Sequence, residues 1–240
     1  MADLVFEHAR LAEISDALEP DRPDLEPYVR LVAEFAANTV LDIGCGTGTF
    51  ACVLAGRGVE VIAVDPAAAS LDVARSKPAA DLVRWIHGDA TELPPVEVDL
   101  VTMTGNVAQV FITDEQWAST LRCCRNALRP GGHLVFETRD PARKAWLEWD
   151  RVQSLRRTII EGVGAVETWV ELLEVHQDLV TFRWTFVFDG DATVLTSDST
   201  LRFRGYGEII ETVRQAEMTV EEVRDAPDRP GREFVFIARR

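Results

Sequence analysis

The sequence predicts an α/β domain in which a mainly parallel sheet carries helices on both faces and an antiparallel β-sheet is inserted. Up to about residue 140, apolar strand-like runs alternate with helix-like runs, which is typical of parallel sheets built from βαβ units. Residues 150–205 are instead β-rich, with two-residue alternation and no helical run between the strands. The chain then returns to one helix and two short strands.

The individual elements follow from their patterns. Five strands are predicted in TVLDIG, VEVIAVD, LVRWIHGD, VDLVTMTG and HLVFET, with a turn at RPGG before the last. Helices are predicted over residues 24–37, in TFACVLAGRG, in PAAASLDVARSK and after Thr113, which forms a capping box with Gln116. The inserted strands are expected in AVETWVELLEV, LVTFRWTFVF and TVLTSDSTLRFR. The ending is expected as a helix in GEIIETVRQAE and strands in TVEEVRD and REFVFIARR.

Composition limits the class of protein. A chain of 240 residues, 47% of them hydrophobic, is sufficient for a single domain over residues 1–240. The net charge of −15 would repel phosphate backbones, so no nucleic-acid partner is expected. We find no apolar leader and no long apolar run, and therefore expect a cytoplasmic protein without a membrane partner. The four cysteines lack the paired spacing of a zinc site, so reduced thiols and no metal site are predicted.

A glycine-rich turn indicates where a ligand binds. Gly44, Gly46 and Gly48 directly follow the first predicted strand, and in open α/β sheets the carboxyl end of such a strand is the usual ligand edge. The spacing differs from the dinucleotide-binding pattern, because Thr49 occupies the position of its last glycine. Asp65 ends the second strand, where its carboxylate can accept hydrogen bonds from both hydroxyls of a ribose.

Four motifs in order resemble those of a known family. VLDIGCGTG, VIAVDPA, HGDATELP and LRPGGHLVFE closely resemble the successive motifs of class I S-adenosylmethionine-dependent methyltransferases. The resemblance implies a Rossmann-like sheet with an antiparallel final strand, S-adenosyl-L-methionine as cofactor and S-adenosyl-L-homocysteine as product. The inserted sheet resembles, in architecture only, small-molecule enzymes such as the amino-sugar N-methyltransferases.

The resemblance also implies roles for the residues of these motifs. The glycine loop would wrap the methionine part of the cofactor, with Asp42 helping to hold its ammonium group and Asp65 taking the ribose hydroxyls. Pro66 would flank the adenine, and Asp89 would accept from its amino group beside the Ala90 amide. The remaining cofactor-binding residues implied in this way are Cys45 in the glycine loop and Thr104, Gly105 and Asn106 around the sulfonium.

The substrate side is less well defined by the sequence. Glu137, Arg139 and Asp140 leave the fifth strand at the ligand edge and could touch substrate, with Trp146 and Trp149 as apolar walls. The alternative is a surface Arg–Asp ion pair and two core tryptophans. The N-terminal segment of this family commonly carries a tyrosine that closes over the cofactor, but this chain has EISDAL there. Tyr28 is the nearest substitute. No catalytic base is assigned.

Three functions remain open at this point. Methyl transfer to a nitrogen or oxygen atom of a small molecule is the leading prediction, since TGNVAQVF after the fourth strand lacks the Asn/Asp-Pro-Pro-aromatic motif of nucleobase methyltransferases. A non-catalytic, S-adenosylmethionine-binding partner or regulatory protein is the alternative. A nicotinamide-dependent oxidoreductase is disfavoured by the glycine spacing. Residues 150–205 are expected to cover the substrate, to form a homodimer interface, or both.

Overall fold

The computed structural model describes residues 2–240. The strands in this part of the chain are β1 (Thr39–Ile43), β2 (Glu60–Asp65), β3 (Val83–His87), β4 (Val98–Met103), β5 (Leu128–Arg139), β6 (Arg156–Ile160), β7 (Gly164–His176), β8 (Leu179–Phe188), β9 (Thr193–Arg202), β10 (Thr219–Asp225) and β11 (Glu233–Arg239). The helices are α1 (Leu4–Glu7), α2 (Ala9–Leu18), α3 (Glu26–Glu34), α4 (Thr49–Gly56), α5 (Ala68–Arg75), α6 (Asp114–Ala127), α7 (Arg151–Ser154) and α8 (Tyr206–Gln215).

Seven strands form the larger sheet in the order β10-β11-β5-β4-β1-β2-β3. Strands β1 to β5 are parallel, whereas β11 runs antiparallel to β5 and pairs Glu233 with Arg139. The carboxyl ends of β1 to β5 therefore meet at one edge of the sheet, and the start of β11 arrives at the same edge. This arrangement confirms the predicted parallel sheet with an antiparallel final strand.

Helices cover both faces of this sheet because each contributes one apolar stripe. On one face, α6 and α8 bury Trp117, Leu121 and Val213 against the strands. On the other face, α3 and α4 bury Val29 and Leu54. The predicted capping box begins α6: the Thr113 hydroxyl accepts from the Gln116 amide, and the Gln116 side chain accepts from the Thr113 amide.

The insert is a separate four-stranded antiparallel sheet, in the order β6-β7-β8-β9. Its inner face packs against the N-terminal helix α2, whose Leu11 and Ile14 join a buried cluster with Val166, Phe186 and Phe188. Strand β6 was not predicted, because its sequence RRTII is short and begins with two exposed arginines. The antiparallel nature of the insert is confirmed.

Strand β5 begins earlier than expected. RPGG was predicted to be a turn, but it lies within β5, and the register with β4 shifts between Val98 and Leu100 to accommodate it. A Cβ on Gly132 would lie 2.9 Å from the Asp99 carbonyl oxygen, so glycine permits this close approach of two backbones. Among residues 2–240, no helix is long and apolar enough to cross a membrane.

Candidate active site

The glycine loop between β1 and α4 occupies the ligand edge of the larger sheet. Gly44, Gly46 and Gly48 all have positive φ, at 70°, 54° and 74°. A Cβ on Gly44 would lie 2.6 Å from Val107, and one on Gly48 would lie 2.5 Å from Trp85, so packing excludes side chains at both positions. A Cβ on Gly46 would meet no atom within 4 Å. Gly46 therefore presents bare backbone to open space.

Asp65 ties this loop to the end of β2. Its carboxylate is 7% exposed and accepts from the Gly46 amide at 2.7 Å and from the Ala67 amide at 2.8 Å. Burial raises the pKa of Asp65, and these two hydrogen bonds oppose the rise. Each oxygen retains a lone pair for a further donor. Asp65 was predicted only to contact the ligand, and in the structure it also shapes the glycine loop.

Asp42 offers a buried acceptor without a partner. Its Oδ1 accepts from the Thr102 hydroxyl at 2.9 Å, whereas its Oδ2 is buried and has no hydrogen-bond partner among the described residues. Burial raises the pKa of Asp42 to about 7, and the nearby charge of Asp65 adds to that rise. An orphaned carboxylate oxygen is costly to bury unless a donor, such as an ammonium group, reaches it.

The other residues assigned to the cofactor lie on the same edge. Cys45 is half-buried, and its amide donates to the Val64 carbonyl at 3.2 Å. Pro66 is exposed, and its carbonyl lies 3.1 Å from a ring nitrogen of His87. Asp89 is exposed and accepts from the Thr91 amide at 2.7 Å, while the neighbouring Ala90 is buried. Thr104, Gly105 and Asn106 follow β4, and Asn106 is buried with φ at 62°.

The N-terminal helices cover the glycine loop. Asp16 on α2 accepts from the Thr47 hydroxyl at 2.7 Å and from the Thr49 hydroxyl at 3.3 Å. Lys77, just after α5, pairs with Asp16 at 2.6 Å and donates to both hydroxyls. This polar cluster joins the loop to two helices. Asp16 belongs to the EISDAL stretch, which lacks the tyrosine of the family, and it was not predicted as a site residue.

A second group of polar side chains lies beyond the loop after β4. Glu137 lies near the buried end of β5, and one of its oxygens accepts from the Asn106 backbone amide at 3.0 Å. Its other oxygen accepts from the hydroxyl of Tyr28, which is buried on α3. Tyr28 was predicted to cap the cofactor, but its hydroxyl is bonded to Glu137. Burial raises the pKa of both side chains, and for Tyr28 the charge of Glu137 adds to the effect.

Glu233, at the start of β11, closes this group. Its carboxylate lies 2.7 Å from the Arg229 guanidinium and 3.7 Å from that of Arg139. Both of its oxygens also lie 3.4 Å from Nδ2, the side-chain nitrogen of Asn106. Arg139 also donates to the Gln109 side chain at 3.0 Å. The predicted substrate residues Glu137 and Arg139 are thus brought together with buried partners that the sequence analysis did not name.

Aromatic side chains form the outer wall. Trp146 makes an edge-to-face contact with Phe203, with 4.7 Å between the ring centroids. Trp149 makes the same kind of contact with Phe182, at 4.6 Å. The Arg139 guanidinium lies 5.8 Å from the Trp149 ring. Asp140 instead caps the short turn that follows β5, accepting from the Ala142 amide at 2.9 Å. The wall therefore joins the segment after β5 to the smaller sheet.

Glu233 was not predicted as a site residue, but the strand topology could have identified it. An antiparallel final strand begins where its parallel neighbours end, so Glu233 had to arrive at the ligand edge. Nothing local in the sequence identifies Gln109, Arg229 or Lys77 in the same way. Asp99, near the start of β4, lies at the opposite end of the sheet from the ligand edge. It accepts from the Asn38 amide at 2.7 Å and the Thr39 amide at 3.0 Å.

Comparisons with known proteins agree with this geometry. Residues 40–132 match the family described as a methyltransferase domain. A cypemycin N-terminal methyltransferase from Streptomyces sp is 37% identical over 147 residues, which are 58% of this chain and 58% of that protein. The chain thus spans under two thirds of the length of that relative.

Two solved structures are similar over nearly the whole chain. The CcbJ methyltransferase from Streptomyces caelestis superposes with a TM-score of 0.76 at 21% identity, covering 99% of both chains. CalS10, an amino pentose methyltransferase from Micromonospora echinaspora solved with S-adenosylmethionine bound, gives a TM-score of 0.70 at 18% identity, covering 100% of this chain and 98% of that one. Residues 40–132 therefore resemble a methyltransferase domain, and the chain shares its fold with these solved methyltransferases.

Proposed function

We propose that this protein transfers a methyl group from S-adenosylmethionine to a nitrogen or oxygen atom of a small molecule. One observation carries the proposal. Inside the matched methyltransferase domain, the open backbone of Gly46 lies against the Asp65 carboxylate, and Asp42, which ends in an unpartnered buried oxygen, is on the adjoining strand. A ligand with hydroxyl and ammonium donors fits this combination of acceptors.

The residues of the edge suit the parts of that cofactor. Asp42 would accept from its ammonium group, Gly46 would lie against its methionine part, and Asp65 would accept from its ribose hydroxyls. Asp89 and the Ala90 amide would face the adenine, beside Pro66. When bound, the cofactor supplies a methyl group activated by a sulfonium, which is a good leaving group.

The chain's own residues position the two ligands and exclude water. Glu137 accepts a hydrogen bond from the backbone amide of Asn106 and so fixes the loop after β4. Helix α2 covers the glycine loop through Asp16, and the smaller sheet packs behind that helix. The aromatic wall of Trp146 and Trp149 closes the outer side. Because CalS10 is an amino pentose methyltransferase, amine-bearing small molecules are the first acceptors to test.

Calorimetry with S-adenosylhomocysteine and with NAD tests the cofactor assignment. We expect heat of binding from S-adenosylhomocysteine and none from NAD. Tight binding of NAD with no heat from S-adenosylhomocysteine would overturn the proposal. Transfer of labelled methyl to members of a metabolite pool then tests catalysis, and cofactor binding without any transfer would favour the non-catalytic alternative.

The remaining expectations stay predictions. They are a cytoplasmic location, the absence of nucleic-acid and membrane partners, a single domain over residues 1–240, and a homodimer interface on residues 150–205. The contact between the smaller sheet and α2 supports the idea that the insert covers the site.

A further inference from the structure

The guanidinium of Arg139, at the end of β5, has one edge without a hydrogen-bond partner. Its Nη1 donates to the Gln109 side chain at 3.0 Å, whereas its Nε lies 3.7 Å from an oxygen of Glu233, which is too long for a hydrogen bond. Its Nη2 makes no hydrogen bond within residues 2–240. The buried side-chain nitrogens without a partner belong to other residues, and 20% of the Arg139 side chain is exposed, so solvent reaches this edge.

The open edge is the one with which arginines bind carboxylates. Nε and Nη2 of a guanidinium present two parallel N–H groups that match the two oxygens of a carboxylate. Arg183 donates from these atoms to the two oxygens of Asp198 at 2.6 and 2.7 Å, and Arg214 donates to Glu211 at 2.9 and 2.7 Å. Arg139 offers the same pair of donors at the ligand edge of the sheet, and no carboxylate of the described chain engages both.

The carboxylates near Arg139 have other partners. Glu233 lies closer to Arg229, at 2.7 Å, and both oxygens of Glu137 accept from neutral donors. Burial lowers the pKa of Arg139, while the charge of Glu233 opposes this effect and that of Arg229 adds to it. Because an arginine stays protonated in proteins, Arg139 keeps a mostly buried positive charge that lacks a bidentate partner. An anionic group of a ligand would supply that partner.

Arg139 lies on the acceptor side of the candidate site. In the larger sheet β4 separates β5 from β1, and neighbouring strands are about 4.8 Å apart, so β5 is roughly 10 Å from the strand that carries Asp42. The Arg139 guanidinium instead lies 5.8 Å from the ring of Trp149, which packs on Phe182 of the smaller sheet. A cation and an aromatic surface are thus neighbours here. This combination suits a molecule that joins an anionic group to an apolar part.

We propose that the Nε and Nη2 edge of Arg139 binds a carboxylate of the methyl acceptor, and that the apolar part of the acceptor packs on Trp149. The proposal rests on the proposed function and deepens it, because it narrows the acceptors to small carboxylic acids with an apolar group. A carboxylate fits better than a phosphate, since it is planar and carries one charge, whereas a dianion would be repelled by the nearby Glu137 and Glu233. Arg139 is then a residue that determines specificity.

Matched pairs of probes test this class of acceptor without turnover. The protein is saturated with S-adenosylhomocysteine, and three acids are titrated beside their neutral amides by ligand-observed NMR at constant ionic strength: benzoate with benzamide, phenylacetate with phenylacetamide, and N-acetylphenylalanine with its amide. The members of a pair have nearly the same shape, and only the acid is charged. We expect at least one acid to bind roughly 10- to 100-fold more tightly than its amide, because it gains hydrogen bonds with a charged group.

Two variants of Arg139 and one control identify the group responsible. Arg139→Gln should abolish the preference for the acid, while affinity for S-adenosylhomocysteine stays within about twofold, which is well below one decade of binding constant. Arg139→Lys keeps the charge without the two parallel donors and should lose most of the preference. Arg143→Gln is the matched control: the charge change is the same, but Arg143 is 60% exposed and lies 3.7 Å from Asp140. It should retain the preference, and melting curves verify that each variant folds.

Several results would overturn the assignment. One is that the wild-type protein binds S-adenosylhomocysteine and prefers the acid in no pair. Another is that Arg139→Gln keeps the preference, or that Arg143→Gln loses it equally, which would indicate general attraction by positive charge. Tighter binding of phenyl phosphate than of phenylacetate would contradict the carboxylate class.

A role of Arg139 in cofactor binding gives a different pattern. Arg139→Gln would then weaken S-adenosylhomocysteine while 5′-methylthioadenosine, which lacks the amino-acid part, binds as before. That outcome would assign Arg139 to the carboxylate of the cofactor and overturn its role towards the acceptor. Failure of the wild type to bind S-adenosylhomocysteine at all is a separate result, which contradicts the proposed function itself.

Discussion

The two halves of the candidate site are built in different ways. The cofactor half consists of the glycine loop, Asp42 and Asp65, all within residues 40–67, and much of it is backbone. The acceptor half combines side chains from α3, the loop after β4, the end of β5 and the start of β11, which only the complete fold brings together. The first half is defined by a local motif and the second by topology.

This difference affects how each half tolerates change. In the cofactor half, the Asp65 carboxylate shapes the loop and is proposed to bind the ligand, so we expect a substitution to affect stability and affinity together. In the acceptor half, Glu137 accepts from the Asn106 backbone amide, and Glu233 faces the nitrogen of the Asn106 side chain. We therefore expect that substitutions there can change acceptor preference without rebuilding the glycine loop. The following predictions test the cofactor half, from the largest expected effect to the smallest.

Asp65 and Asp99 give the sharpest contrast. Each accepts two backbone amides, but they lie at opposite ends of the larger sheet. Replacing either by alanine should lower stability, by about 1–3 kcal/mol for each amide left without a partner in a buried position. Asp65→Ala should also weaken S-adenosylhomocysteine binding roughly 10- to 100-fold. Asp99→Ala should leave that affinity nearly unchanged.

Calorimetric titration together with thermal melting measures both effects. Equal affinities for the wild type and Asp65→Ala would contradict the proposal that Asp65 binds the ribose hydroxyls. An affinity loss confined to Asp99→Ala would mean that the ligand binds at the other edge of the sheet, and the proposed division of the site would fail.

Asp42 should make cofactor binding depend on pH. Burial raises its pKa to about 7, so the free protein holds a proton there at lower pH, and that proton must leave before an ammonium group can bind. Affinity for S-adenosylhomocysteine should rise by up to about tenfold for each pH unit below 7 and then level off. The same shift makes the contribution of Asp42 to stability greatest at low pH and progressively lost as the pH rises through about 7.

Asp42→Asn is the control for this pH dependence, because asparagine does not titrate. Its affinity should be weaker than that of the wild type above pH 7 and nearly flat between pH 5 and pH 8, about the range in which Asp42 titrates. Titrations at several pH values measure this, and a wild-type affinity that does not change across the range would contradict the role of Asp42.

Gly46→Ala tests whether the open backbone faces the ligand. Gly46 and Gly58 both have positive φ, and a Cβ on either would meet no protein atom within 4 Å. Alanine should therefore cost each about 1–2 kcal/mol of stability through backbone strain alone. Gly46→Ala should in addition weaken S-adenosylhomocysteine about tenfold, as expected when a methyl group is forced against a bound ligand. Gly58→Ala should not, and parallel losses of affinity in both variants would count against the assignment.

The sequence predicted the cofactor half better than the acceptor half for a physical reason. A turn that needs glycines and a carboxylate at a strand end is specified within a few residues, so Gly44, Gly46 and Asp65 could be named in advance. Glu233 and Asn106 meet across residues that lie far apart in the sequence, and no local pattern encodes their contact. The succession of strands and helices along the chain was predicted for the same reason as the glycine loop, since each element has its own periodicity.

Errors occurred where tertiary contacts override local signals. RPGG has the composition of a turn, yet it lies within β5 as an irregularity between Leu128 and His133, which are the residues that pair with β4. The contact of Tyr28 with the cofactor stays a prediction, and the structure adds that its hydroxyl donates to Glu137 on a distant strand. The residues assigned to cofactor and substrate contact remain predictions until the experiments above are done.

The antiparallel pairing of β11 with β5 has a consequence for synthesis on the ribosome. Residues 128–139 emerge well before residues 233–239, because the whole smaller sheet is encoded between them. Until β11 is made, β5 is an unprotected edge of the growing sheet, with the apolar run Leu134, Val135 and Phe136 next to unpaired backbone groups. Exposed apolar edges of this kind pair with other chains. Truncation between residues 139 and 233 should therefore yield aggregated rather than merely inactive protein.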